Sequence, residues 1–241
     1  MIKKTRMLAA GLLAMIFILS IVVFVRGDPV GGIISDNSTD QRTTSPGSRA
    51  DDGGTITTMN VDATQQNYAW KAYVGNISGS LVLDDSSNRS IYEWALSTLT
   101  GEIIATRASS LTWGALSCAS NATIATEQSA VSMSPSDLDS LNTTFIATAH
   151  KAFSIAGNTL TANTCRSTAT YVNDTAQTPS SSADFQEILV NDTSGNVMYV
   201  ADLELNTQGF DNNTYDFQMI VADDDTAATI TTYYFYVELD S

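Results

Sequence analysis

With one histidine and two cysteines in 241 residues, the chain has little material for chemistry that leans on imidazole or thiolate. Cys118 and Cys165 form no C-x-x-C, which excludes zinc-knuckle and haem-attachment spacings. G-x-S-x-G, H-E-x-x-H and P-loop patterns are absent as well. Positive charge is scarce: eleven Lys and Arg stand against twenty-six Asp and Glu. Seven of those basic residues and all of the acids follow residue 26, which leaves that part of the chain at a formal charge of −19. It lacks the basic face that phosphate contact needs, so nucleic acid is excluded as a partner. No repeat of 20 to 50 residues is visible, which argues against a propeller or solenoid.

What is present begins with a long apolar run. The nineteen residues from Met7 to Val25 carry no charge, and Lys3, Lys4 and Arg6 precede them. At about 1.5 Å per residue such a helix spans roughly the 30 Å core of a bilayer. The basic flank holds the N-terminus in the cytoplasm and sends the rest outside. The competing reading is a cleaved secretory signal, whose apolar region is normally shorter, about 7 to 15 residues, and for which Val25 to Gly27 is a poor cleavage match. Either way the expected location is extracellular, attached to the cell membrane by a single pass or secreted. Eight N-x-[ST] sequons, at Asn37, Asn76, Asn88, Asn121, Asn142, Asn173, Asn191 and Asn212, fit an export route on which surface loops are glycosylated.

Three regions follow from composition: a membrane anchor or signal over 1–26, a flexible Gly, Ser, Thr and Asp-rich stalk over 27–54, and a folded domain over 55–241. Within the domain the apolar period is two, clearest where Tyr233, Phe235, Val237 and Leu239 alternate with Tyr234, Tyr236 and Glu238. Similar stretches are Thr55–Asp62, Tyr68–Val74, Ser78–Leu83, Ile91–Leu96, Glu102–Thr106, His150–Ile155, Thr168–Val172, Phe185–Val190, Val197–Leu205 and Tyr215–Val221. Short strands at this spacing predict a mainly β domain, an antiparallel β-sandwich of immunoglobulin-like or jelly-roll-like type. A helix is predicted at Ser134–Leu141, with Ser134 as cap, Pro135 at the first position and Asp137 completing a capping box. It falls between the cysteines, and a Cys118–Cys165 disulfide, natural outside the cytoplasm, staples the insertion that carries it.

Trp70 to Gly79 (WKAYVGNISG), followed by Leu81 to Asp84 and Ile91 to Trp94, resembles a pattern recurring in uncharacterised archaeal surface proteins with an N-terminal hydrophobic segment. Gly209 to Asp211 followed by Asp216 and Phe217 resembles a second block of that class. The resemblance implies a β-rich, surface-exposed protein and carries no catalytic residue with it. The residues themselves read as a hairpin in which Gly75 and Gly79 relax the turn while Trp70, Tyr73, Tyr92 and Trp94 supply large contacts.

Candidate chemistry is sparse. His150, beside Lys151 in a predicted strand, reads as structural or exposed rather than as a catalytic base. Glu93 and Glu102, in neighbouring predicted strands, are the paired carboxylates a glycoside hydrolase would need, although acids this abundant read first as solvated. Calcium is the ion favoured by the hard oxygens of Asp84, Asp85 and Asn88, of Asp211, Asn212, Asn213 and Asp216, and of Asp223 to Asp225. None of these has EF-hand spacing, and turn-forming Asx residues are the plainer account. The four aromatics are either core or a platform for sugars. The expected role is therefore structural or adhesive display on the cell surface, not enzymatic, with envelope components, glycans or copies of itself as partners. Two alternatives remain: a subunit of a pilus-like extracellular filament, built through the apolar helix or through Thr55–Asp62 completing a neighbour's sheet, and a secreted carbohydrate-binding module or hydrolase.

Overall fold

The computed structural model describes residues 28–35, 38–40, 47–96, 99–224 and 230–240. The apolar run at 7–25 and the sequon at Asn37 lie outside them. The described chain is mainly β, with antiparallel sheets and two short helices. In chain order the elements are β1 (Val30–Gly31), β2 (Trp70–Gly75), β3 (Ser80–Asp84), β4 (Ser90–Ala95), β5 (Thr100–Thr106), β6 (Ser117–Cys118), α1 (Asn121–Ala130) and α2 (Leu141–Thr144). They continue through β7 (Phe153–Ile155), β8 (Asn158–Leu160), β9 (Ser167–Ala169), β10 (Gln186–Asn191), β11 (Val197–Asp202), β12 (Thr207–Gln208), β13 (Thr214–Tyr215), β14 (Phe217–Ala222) and β15 (Tyr234–Asp240).

The main sheet runs β1-β15-β5-β11-β10-β6, and β9 pairs with β10 along the same edge as β6. Its central strand β11 is buried at all six positions because both faces of the sheet are covered. On one face Ile103, Ala105, Leu189, Tyr199 and Ala201 pack with Met219 and Val221 of the β2–β14 pair and with Ile124 and Phe145 of the helical region. On the other, Ile104, Ile188, Val190, Met198 and Val200 pack with Phe153, Ile155 and Leu160 of the β7–β8 hairpin. Each fully buried side chain of this size stabilises by about 1.5–3 kcal/mol, so the double-sided centre is a major source of folding energy.

The cysteines mark a junction in one strand. Cys118 pairs with Val190 and Ser167 with Ile188, while between them Leu189 donates to the Arg166 carbonyl (2.9 Å) and accepts from Ala119 (2.9 Å). The chain thus leaves the sheet edge after Cys118 and rejoins it at Arg166, and the Cys118–Cys165 disulfide closes the base of the excursion. The predicted staple is present, but the helix it carries is not where the capping signals placed it. Over Ser134–Leu141 the chain makes successive turns, Asp137 donating to the Ser134 carbonyl (3.1 Å) and Ser140 to that of Asp137 (3.1 Å). Asp137 does accept from the Ser134 amide (3.1 Å), so the capping bond forms without a helix behind it. Leu138 is 94% exposed and offers no apolar stripe to dock one. The longer helix is α1, capped by Ser120 through the Thr123 amide (3.1 Å).

Two further expectations need correction. Thr55–Asp62 forms no strand, and Ile56 is fully exposed there. Gly75 and Gly79 are not at positive φ; an added Cβ would meet Phe217 at 3.2 Å in the first case and run into Leu239 in the second, so they permit close approach rather than a turn. The segment read as a stalk contributes β1, whose Val30 and Gly31 pair with Val237 and Tyr236.

One row of side chains holds the β7 segment across the sheet. Asp202, Glu102 and Glu238 lie in register on β11, β5 and β15. The amide of Lys151 donates to Gln186 Oε1 (2.7 Å), that of Ser154 to Glu102 Oε1 (3.0 Å), and that of Ala156 to Glu238 Oε2 (2.6 Å). Glu102→Ala should therefore cost about 1–3 kcal/mol by leaving the Ser154 amide buried without that acceptor, read as a lower urea midpoint. Glu93→Ala, on the exposed β4, should leave the midpoint unchanged. Removing both cysteines opens a closure of 47 residues and should lower stability by about 4 kcal/mol in the same measurement.

Candidate functional site

His150 is fully enclosed and both ring nitrogens are engaged. Nδ1 meets the Lys151 carbonyl at 2.5 Å, while Nε2 accepts from the amides of Thr164 (3.0 Å) and Cys165 (2.8 Å). Those partners define the neutral Nδ1–H tautomer, with no lone pair left for a nucleophile. Burial lowers the histidine pKa from its ordinary 6.5, against the opposing pull of the Lys151 carbonyl.

The carboxylates proposed as a pair occupy different surroundings. Glu93 is exposed on β4; Glu102 is buried in β5 and bound to the β7 backbone. The expectation of solvated carboxylates therefore fails for Glu102. Sequence alternation could not reveal this, because in a sheet covered on both sides a glutamate at an inward position looks the same as one facing water.

The oxygen clusters considered for calcium are engaged by protein donors. Asp85 Oδ1 accepts from the Ser87 (2.8 Å) and Arg89 (3.0 Å) amides, and Asp84 from Ser90 Oγ (2.5 Å). Asp211 binds the Asn213 side chain (2.7 Å) and Tyr215 Oη (3.0 Å). Asp216 ties together the Ile77 and Asn206 amides, both at 2.9 Å. Asp223 pairs with Lys71 (3.0 Å), and Asp225 lies outside the described residues. Among the described residues no three His, Cys, Asp or Glu side chains gather in a way that could hold a metal.

The aromatics divide in two. Trp70 is half-buried, donates to the Asp139 carbonyl (2.7 Å) and lies against Phe145. Tyr73 packs edge-on against Phe235, ring centroids 4.9 Å apart. Tyr92 and Trp94 instead stand on β4, 58% and 48% exposed, with centroids 4.6 Å apart. Their cross-strand partners are Leu83 and Leu81, which makes one face of the β3–β4 hairpin apolar throughout, while Val82 pairs with Glu93 on the other. Every residue of both strands is exposed. This is the pattern of a strand pair with one face to bury, and the domain core does not cover it. Among the sequons, Asn76, Asn88, Asn121, Asn173 and Asn212 are exposed, and Asn142 and Asn191 are half-buried.

A third grouping escaped sequence reading. Lys151 forms an ion pair with Asp202 Oδ2 and lies 3.7 Å from Glu204 Oε1, residues 51 and 53 positions later in the chain. Glu204 Oε2 accepts from the amide of Phe185 (3.0 Å), a buried residue held at φ 48°. Burial, reinforced by the neighbouring Asp202 carboxylate, pushes the Glu204 pKa up to about 7; burial also raises that of Asp202, against the pull of Lys151. On the opposite side of the sheet Glu187 is fully buried and accepts from the Ile220 amide (2.9 Å), and burial raises its pKa well above the ordinary carboxylate value against the pull of that bond. Among the described residues no helix is long and apolar enough to cross a membrane.

No protein-family model, curated protein or solved structure matches the chain.

Because His150 is neutral when folded, its contribution to stability is fully present above the unfolded value of 6.5 and is lost as pH falls through the lower folded value. Chemical unfolding between pH 8 and pH 5 should therefore show the parent protein losing stability relative to His150→Gln as the pH drops.

Proposed function

We propose that this is a membrane-anchored cell-surface protein whose β-rich domain is displayed outside the cell and makes adhesive contacts between copies through the apolar face of β3–β4. The observation that carries the reading is the face formed by Leu81, Leu83, Tyr92 and Trp94, which is built like a buried strand face and stands exposed. An isolated two-stranded hairpin is at best marginally stable in water, so such a face gains from a second layer. Self-stacking supplies one of matching chemistry and needs no separate partner. At the exposures observed the face offers roughly 400 Å², the size of a functional patch on a monomer and about half of what one partner gives to a stable complex. The contact is therefore weak singly and effective when many copies are displayed together.

The sequence supports the location: Lys3, Lys4 and Arg6 ahead of the 7–25 run orient the chain with its bulk outside. Exposed sequons and a disulfide suit that compartment. The stacking of β2–β14 on the main sheet supports a sandwich-like architecture for the displayed domain. A filament subunit is the second reading, and one feature favours it: among the described residues β1 pairs with only Tyr236 and Val237 of the seven-residue β15, with Gly32 donating to Phe235 (2.9 Å), and the rest of that edge could take a strand from another copy.

Cells displaying the full chain should clump, with the clumping strengthened by added salt as repulsion between acidic domains is screened. A Tyr92→Ser, Trp94→Ser double variant at equal surface level should clump at least tenfold less. Unchanged clumping by that variant would overturn the hairpin contact. Regular fibres of this chain in electron micrographs would favour the filament, and display of a domain that protease reaches only after cell lysis would overturn the orientation.

A further inference from the structure

We propose that Lys151 and Asp202 become joined by an intramolecular amide bond, with Glu204 as the proton carrier, so that the domain is cross-linked by a second covalent tie besides the disulfide. The inference does not depend on the adhesive reading.

The three side chains are brought together from distant parts of the chain. Lys151 lies at the entry to β7, Asp202 at the end of β11, and Glu204 two residues beyond on the same connection. The ammonium is in direct contact with Asp202 Oδ2, and Glu204 Oε1 stands 3.7 Å from the same nitrogen. Asp202 is 7% exposed, so its carboxyl sits where water competes poorly with an amine for the carbonyl carbon. Neither partner is free to drift. The Lys151 backbone is fixed by Gln186 (2.7 Å), Asp202 by its place in the β11–β5 ladder opposite Glu102, and Glu204 by the Phe185 amide (3.0 Å). Such fixed juxtaposition of reactants is what converts a slow bimolecular condensation into an effectively unimolecular one. Phe185 donates to Glu204 from the left-handed region, at φ 48°, a conformation that costs about 1–3 kcal/mol in a bulky residue and that clusters at functional sites.

The step balances within the three groups. Glu204, entering as the neutral acid, gives its proton to the Asp202 carboxylate and then takes one from the Lys151 ammonium, and the freed amine attacks Cγ of the now protonated Asp202 carboxyl. The C–N bond forms, and the C–O bond breaks as Glu204 returns its proton to the departing hydroxyl. One water leaves, and Glu204 takes a second proton from the nitrogen, ending as the neutral acid. Charge is zero before and after, and no oxidant, metal or nucleotide is consumed. The raised affinity of Glu204 for a proton, near neutral pH, matches a group that must both accept and donate in one cycle.

A bond at this place would do what the disulfide does not. Cys118–Cys165 closes the base of the excursion at the sheet edge. Lys151–Asp202 would weld the strand that crosses the sheet to the buried central strand β11, so force on the excursion would pass into the centre of the sheet.

Peptide mapping of the full chain, recovered from membranes, reduced and deglycosylated, tests the proposal. An acylated Lys151 resists trypsin. The expected product is therefore a single species in which residues 108–166 are joined to 167–241, lighter than the two peptides together by one water. The overturning result is cleavage after Lys151 with 108–151, 152–166 and 167–241 recovered separately at full mass, which would make the pair an ordinary ion pair. Fragment ions placing the branch on Glu204 would overturn the assignment of Asp202. Lys151→Arg keeps the charge and should yield only unlinked peptides. Glu204→Gln should leave the link at less than a tenth of the parental extent; linking at the parental extent would overturn the part given to Glu204. The parental map reads the bond without any variant, so misfolding of a variant leaves the main test intact.

Discussion

The β7 segment crosses the main sheet instead of joining its edge, and the rest of the domain's architecture depends on how that crossing is held. The ladder with β8 serves one edge of β7 only, and each amide on the other edge left without an acceptor in the interior costs about 1–3 kcal/mol. The cost is met by side chains rising from successive strands: Gln186 from β10, Glu102 from β5 and Glu238 from β15 take the amides of Lys151, Ser154 and Ala156. Asp202 on β11 completes the row by taking the Lys151 side chain. Only with the amides satisfied can Phe153 and Ile155, both essentially fully buried, be pressed onto Ile104, Met198 and Val200. Polar satisfaction and apolar packing are thus one construction on this face.

The same device recurs. Glu187 serves the Ile220 amide on the opposite face, Asp216 serves Ile77 and Asn206, and Glu204 serves Phe185. Asp192 binds the amides of Thr112 (3.1 Å), Ser194 (2.9 Å) and Asn196 (2.9 Å) and so shapes the β10–β11 turn. A fold made of many short strands has many strand ends, and each end leaves backbone donors that need an acceptor. Asp and Glu offer two acceptor oxygens each and no competing donor when ionised. Part of the acidic excess is therefore internal joinery, and the charge count overstates how much of it faces solvent.

Most strands were legible, including β10 and β11, which are covered on both faces. Ten of the eleven stretches identified by period two coincide with or overlap strands, from Tyr68–Val74 to the C-terminal alternation at Tyr233–Leu239. Thr55–Asp62 has the residue types of a strand and lacks a neighbour to pair with, a tertiary condition that propensity does not contain. The helix was misplaced for a related reason: Ser134, Pro135 and Asp137 encode a capped start, which serves equally for a turn when no apolar face follows. α1 contains Ile124 as its lone large apolar side chain, and it is positioned by its Ser120 cap and by the Arg107–Glu127 ion pair (2.6 Å). The disulfide was readable from two cysteines in a chain whose apolar N-terminal run predicts export. Lys151, Asp202 and Glu204 were not readable as a group, since only the register of β11 against β5 and the crossing of β7 bring them together.

This division of acids between interior and surface bears on how copies meet. A domain with a strongly negative formal charge repels its like over about a Debye length, 8 Å at physiological ionic strength, which opposes association of isolated molecules. Four of the six described Lys and Arg are already paired within the fold: Arg49 with Asp51, Lys71 with Asp223, Arg107 with Glu127 and Lys151 with Asp202. Little positive charge is therefore left to draw a second copy in by attraction. Apolar contact falls outside that constraint because it does not depend on sign. On the β3–β4 hairpin Leu81, Leu83, Tyr92 and Trp94 gather on one face, while Glu93 lies on the other beside Val82. Two such faces can stack with their acids directed away from the contact, which places the attraction where repulsion is least. Under the proposed display, a protein arranged in this way would stay dispersed when dilute and hold together when crowded on a surface.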